Sequence, residues 1–135
     1  TDLNSKLQIE IENYIESYDE PHLPSGPDFV ILFPSDDANY YKLFDGTMLE
    51  LLDVALTEST LDLKIVGYAD MNGQDKRNLT LSKDRTETIK NYLLQNGVDS
   101  SKIRVEFLGE TALFDPNVLM SNRRVEIFIS TDENE

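Results

Sequence analysis

The chain has 135 residues, no cysteine, and 26 acidic against 12 basic side chains, a formal charge of −14 at neutral pH. That length suits one domain with a core that folds without staples, and the lack of cysteine removes disulfides, thiol nucleophiles and thiolate metal sites. The charge excludes nucleic acid as a partner, since phosphates are repelled without a dense basic face, and no apolar run approaches the ~20 residues that span a bilayer, so a soluble chain is expected.

Leu3, Leu7, Ile11, Tyr14, Ile15 and Tyr18 recur at helical spacing and predict an amphipathic helix over 3–18. Leu7, Ile9 and Ile11 also alternate and fit a short strand. Pro21, Pro24, Gly26 and Pro27 stop either element, so residues 1–27 read as a helix plus linker, 28–130 as the main domain and 131–135 as an acidic tail. Phe29–Phe33 is a continuous apolar run, the pattern of a strand covered on both faces. Phe44, Met48, Leu51, Leu52 and Ala55 form a helical stripe, and Leu61, Leu63 and Ile65 alternate as a strand. Ser82 is a good N-cap for a helix carrying Thr86, Ile89 and Leu93 inward. Asn96-Gly97 marks its end, glycine tolerating the left-handed conformation there. Two further strands follow, with Ile103, Val105 and Phe107 alternating in one and Val125, Ile127 and Ile129 in the other. The order β-α-β-α-β-β predicts an α+β domain with helices packed on a sheet.

The bases are unevenly placed. Lys76, Arg77, Lys83, Arg85 and Lys90 crowd one interval, and Arg123 and Arg124 form a second cluster. With Ser82 as N-cap, Arg85 falls where a capping box wants Glu or Gln and where the helix dipole disfavours a cation, at a cost of about 0.3–1 kcal/mol. A rule broken in this way points to function, because a helix N-terminus with an arginine fork suits a carboxylate. A structural Asp70–Arg85 salt bridge is the plain alternative.

The segment Gly67–Tyr92, GYADMNGQDKRNLTLSKDRTETIKNY, sets Asp70 at a strand end, then Asn78, Leu81-Ser82 and Arg85. GYAD and this N-x-x-L-S-x-x-R order, with Gly97-Val98, Ile103 and Asn122-Arg123-Arg124-Val125 further on, closely resemble the OmpA-like peptidoglycan-binding domains of bacterial envelopes. The resemblance spans Phe29 to Ile129. It implies a mixed four-stranded sheet with helices on one face, preceded here by the N-terminal helix, and a non-catalytic periplasmic anchor without cofactor. It also implies that Asp70 and Arg85 hold the amine and a carboxylate of diaminopimelate in the wall's stem peptide, with Asn78 orienting loop or ligand and Arg124 lining the same site. Replacing Asp70 or Arg85 is then expected to abolish binding and spare the fold, with loss of Arg85 even relieving the helix. Thr86 replaces the family's usual alanine, Phe107-Leu108-Gly109-Glu110 its G-Y-G-E, and Leu113 a common proline.

Other chemistries fit poorly. DMNGQD at 70–75 lacks the glycine and glutamate positions of a calcium loop, and the single histidine, His22, sits in the Pro-rich linker with no triad or metal set around it. No acid has the apolar flanks that would raise its pKa for hydrolysis. The competing functional reading is an envelope protein–protein module that no longer binds the wall, with the acidic N-terminal helix reaching a partner.

Overall fold

The computed structural model describes residues 26–58, 60–70, 75–110 and 122–131. The expected N-terminal helix, His22, residues 111–121 and the tail beyond Thr131 lie outside the described residues. The elements are β1 (Phe29–Leu32), α1 (Asp45–Thr57, entered through a 3-10 turn at Lys42–Phe44), β2 (Leu61–Ala69), α2 (Asp75–Gln95), β3 (Ile103–Glu110) and β4 (Arg124–Thr131). The β-α-β-α-β-β order of an α+β domain is therefore present.

The sheet order is β1-β4-β2-β3. β4 runs antiparallel to both β1 and β2, and β2 runs parallel to β3, so the sheet is mixed. In register, Ile31 faces Val125, Ile65 faces Ile127 and Leu63 faces Ile103. Strand side chains alternate between faces, and these residues meet Met48, Leu51 and Ala55 of α1 and Ile89 and Leu93 of α2 in one core. β1 departs from the reading of its apolar run. It is an edge strand of the described sheet, with Phe29 and Val30 half-buried and only Ile31 onward covered. Asp28 fixes its start by donating from its backbone N to Ile127 O (2.8 Å) and accepting at Oδ2 from Ile129 N (2.7 Å).

The expected start of α2 at Ser82 is wrong. The helix begins at Asp75, seven residues earlier, and no Gly or Pro interrupts 75–81. Ser82 is instead a buried seam residue whose Oγ donates to Leu79 O (2.7 Å) and accepts from Gly109 N (3.0 Å). That tie meets β3 where its register against β2 shifts and Gly109 takes φ +76°, a bulge at Leu108-Gly109. Gly67 sets the helix–sheet distance, since a Cβ there would strike the Ser82 carbonyl and the Thr86 γ-methyl. The far end of α2 is as expected. Val98 N donates to Leu93 O (3.0 Å) and Gly97 N to Leu94 O (3.2 Å), with Gly97 at φ +98°, the paired bonds of a Schellman cap.

Candidate ligand-binding site

β2 ends at Ala69, which delivers Asp70 to the rim of the sheet, and α2 passes beside it. The segment Pro34–Asp37, leaving β1, crosses over the helix. Between them is a pocket of about 260 Å³ lined by Ser35, Asp36 and Asp70, and by Arg77, Asn78, Leu81 and Arg85 of α2. Three of the four expected site residues thus share one pocket. The fourth does not. Arg124 lies in β4 on the face opposite Val125, buried and paired with Glu126 at 3.4 Å.

Its neighbour Arg123 stands at the site instead. Arg123 donates from Nε to Phe33 O (2.8 Å), from Nη2 to the Tyr41 hydroxyl (3.2 Å) and from Nη1 to Asp70 Oδ2 (3.5 Å). Sequence reasoning missed it, although parity contained the signal, because two residues before core-facing Val125 a side chain returns to the same face. At 3.5 Å the pair with Asp70 is looser than the ~2.7–2.9 Å of a tight charge-assisted bond.

Arg85 is ten residues into α2, far from the helix N-terminus, so its expected conflict with the dipole does not exist. It is fully buried at 0% exposure. It donates from Nε to Asp37 O (2.9 Å), from Nη1 to Tyr68 O (3.1 Å) and from Nη2 to Pro34 O (2.9 Å), and its guanidinium lies 5.2 Å from the Phe33 ring centroid. Burial, and then the adjacent Arg123 charge, push its pKa from the ordinary arginine range down to about 10, against the opposing pull of Asp70, Asp37 and Asp36. It stays protonated at neutral pH. Of the five N–H groups of a guanidinium, three go to these carbonyls and two make no hydrogen bond to a described residue. Arg77 forms an exposed ion pair with Asp36 at the rim, 2.5 Å from Nη2 to Oδ1. Asp36 itself sits at φ +54°, a left-handed conformation that Asp tolerates.

The charges around this pocket are Asp36, Asp37 and Asp70 against Arg77, Arg85 and Arg123, a local balance on a chain of −14. Such a site suits a ligand with a carboxylate beside an ammonium. Among the described residues no cluster of His, Cys, Asp and Glu could hold a metal, and no described helix is long and apolar enough to cross a membrane.

The family model for OmpA matches residues 37–126. The chain belongs to the OmpA family. Among curated relatives, the probable lipoprotein YiaD of Escherichia coli is 35% identical over 104 residues, covering 74% of this chain and 48% of its own length. The chain thus spans less than half of the curated relatives it matches. Among solved structures, the peptidoglycan-associated lipoprotein from Burkholderia pseudomallei superposes with a TM-score of 0.69 at 20% identity, over 83% of this chain and 98% of that one. The C-terminal domain of Helicobacter pylori MotB superposes with a TM-score of 0.61 at 26% identity, over 78% and 87%. The open mixed sheet with its helices is the fold of these OmpA-like domains.

Proposed function

We propose that this OmpA domain binds cell-wall peptidoglycan without cleaving it, gripping the diaminopimelate of the stem peptide and holding an envelope protein to the wall in the periplasm. The observation that carries the reading is the shared pocket, where Asp70, Asn78 and Arg85 line one cavity of amino-acid size. Asp70 offers the acceptor-only oxygens that an ammonium needs, and the two remaining N–H groups of Arg85 suit a carboxylate. Arg123 holds Asp70 from behind, and Asn78 contributes a side-chain amide to the wall of the pocket. A structural relative is named as peptidoglycan-associated, which agrees with this assignment.

One observation favours a second reading, a protein–protein module of the envelope that has lost wall binding. Arg85 is wholly enclosed and serves three carbonyls, as a purely structural arginine would. Co-sedimentation separates the two. Sacculi containing diaminopimelate should retain the protein, and lysine-type wall should retain it clearly less. Equal retention on both, or none on either, removes the stem-peptide assignment.

A further inference from the structure

A second cleft of about 420 Å³ opens on the same side of α2, within the ~300–1,000 Å³ range of small-molecule sites. Thr88, Asn91, Tyr92 and Gln95 form its helical wall, and Asn39, Tyr40 and Asp45 the other. Along α2, Arg77, Leu81 and Arg85 of the first pocket and Thr88, Tyr92 and Gln95 of the second follow one another at spacings of three and four, which is one continuous stripe. The same 34–41 segment covers both. Between the pockets it is pinned to the helix by Arg85 Nε to Asp37 O (2.9 Å) and Thr88 Oγ1 to Ala38 O (2.7 Å).

We propose that this cleft is a glycan subsite, taking an uncharged N-acetylated sugar of the wall strand; it rests on the stem-peptide reading for its place beside the first pocket. The chemistry of the lining decides the class. Among the described residues that line it, Asp45 is the only charged side chain, so they offer no second charge to recognise a zwitterion and no base for an anion. Tyr40 and Tyr92 are half-buried rings with a hydroxyl, which suits the apolar face and hydroxyl rim of a pyranose. The side-chain amides of Asn39, Asn91 and Gln95 make no hydrogen bond to any described residue, and a side-chain amide both donates and accepts, as an acetamido group and hydroxyls require. The Tyr40 pKa is raised by burial and then by Asp45 and Tyr92, in keeping with the three groups converging. The pockets lie about 15 Å apart along α2, ten residues at ~1.5 Å each. A short extended peptide of about five residues covers that distance.

The test uses the tetrasaccharide of N-acetylglucosamine, which carries no peptide, titrated into the full chain with amide resonances as the readout. Saturable shifts at Asn91, Tyr92 and Gln95, with a Kd on the order of 1 mM, are expected in wild type and lost in Tyr92→Ala. Tyr92 also packs on the core, so the double variant Asn91→Ala, Gln95→Ala, at exposed positions, should weaken the tetrasaccharide at least about tenfold with the fold unchanged. Asp70→Asn should bind the tetrasaccharide as wild type does. Absence of shifts, or affinity unchanged in the double variant, overturns the subsite. Binding of the tetrasaccharide with no response to a diaminopimelate peptide upholds the subsite and removes the stem-peptide reading instead.

Discussion

Arg85→Ala is expected to fail as a fold before it fails as a ligand site. The side chain is fully enclosed, and its loss strips donors from the carbonyls of Pro34, Asp37 and Tyr68 at once. Each carbonyl left dry and unpaired costs about 1–3 kcal/mol. Entry of water and collapse of the 34–37 segment hold the sum to about 3–5 kcal/mol. Against a domain stability of about 5–15 kcal/mol, that is a large fraction. At about 3–4 °C per kcal/mol for a chain of this size, Tm should fall by about 9–20 °C. Arg85→Lys restores one donor group but not the fork, and should fall between the two. The assay is thermal unfolding of the three proteins under one buffer. A Tm for Arg85→Ala within about 3 °C of wild type would mean that the carbonyls find other partners, and would refute the cage as a source of stability. This reverses the expectation from the sequence, where a helix-start arginine was dispensable to the fold.

Asp70→Asn keeps the shape and removes the charge, so binding of a diaminopimelate peptide should weaken by at least about 30-fold, the lower end for a truncated charge pair, while Tm falls, by less than in Arg85→Ala, because Arg123 and Arg85 lose a compensating carboxylate; calorimetry and unfolding on the same sample check both. Gly67→Ala should destabilise by about 1–3 kcal/mol, and Thr86→Ala in the same chain should recover only part of it, because the Ser82 carbonyl still blocks the new methyl; chemical denaturation reads this directly. Tyr68 has its pKa raised, by burial first and then by Glu126, so above pH ~10 the unfolded phenol gives up its proton while the folded one keeps it. The folded state then holds more protons, stability falls as pH rises, and Tyr68→Phe should flatten that loss in alkaline unfolding curves.

The elements were legible wherever burial is apolar. Leu61, Leu63 and Ile65 announced β2, and Met48, Leu51 and Ala55 announced α1, because hydrophobic periodicity is what the core requires. The first half of α2 was not legible for the same reason. Its buried stripe runs Asn78, Ser82, Arg85, Thr86 before reaching Ile89 and Leu93, so the helical period is carried there by polar side chains. Ser82 looked like a cap because serine is a good one, and its actual hydrogen bond to Gly109 joins positions 27 residues apart. Asp70, Asn78 and Arg85 were legible as a set only through the family motif. The carbonyl cage of Arg85 could not be read, since it depends on where residues 34–37 cross. Arg123 could have been, from strand parity alone.

The close seat of α2 on the sheet governs how the domain would discriminate among ligands. Asp70 ends β2 and Arg85 rides α2, while Gly67 lets the two backbones touch and the Ser82–Gly109 bond ties the helix to the bulge. On the proposed reading, acid and base would sit on two elements packed backbone to backbone, and neither would readily follow a ligand that is too long or too short. Such a clamp would work as a gauge. A diamino acid longer or shorter by one methylene would bring one charged end to its partner and hold the other away, a difference of about 1–3 kcal/mol, or 10–200-fold. The less such a site has to rearrange on binding, the more of its tightness comes from fit already present in the free chain.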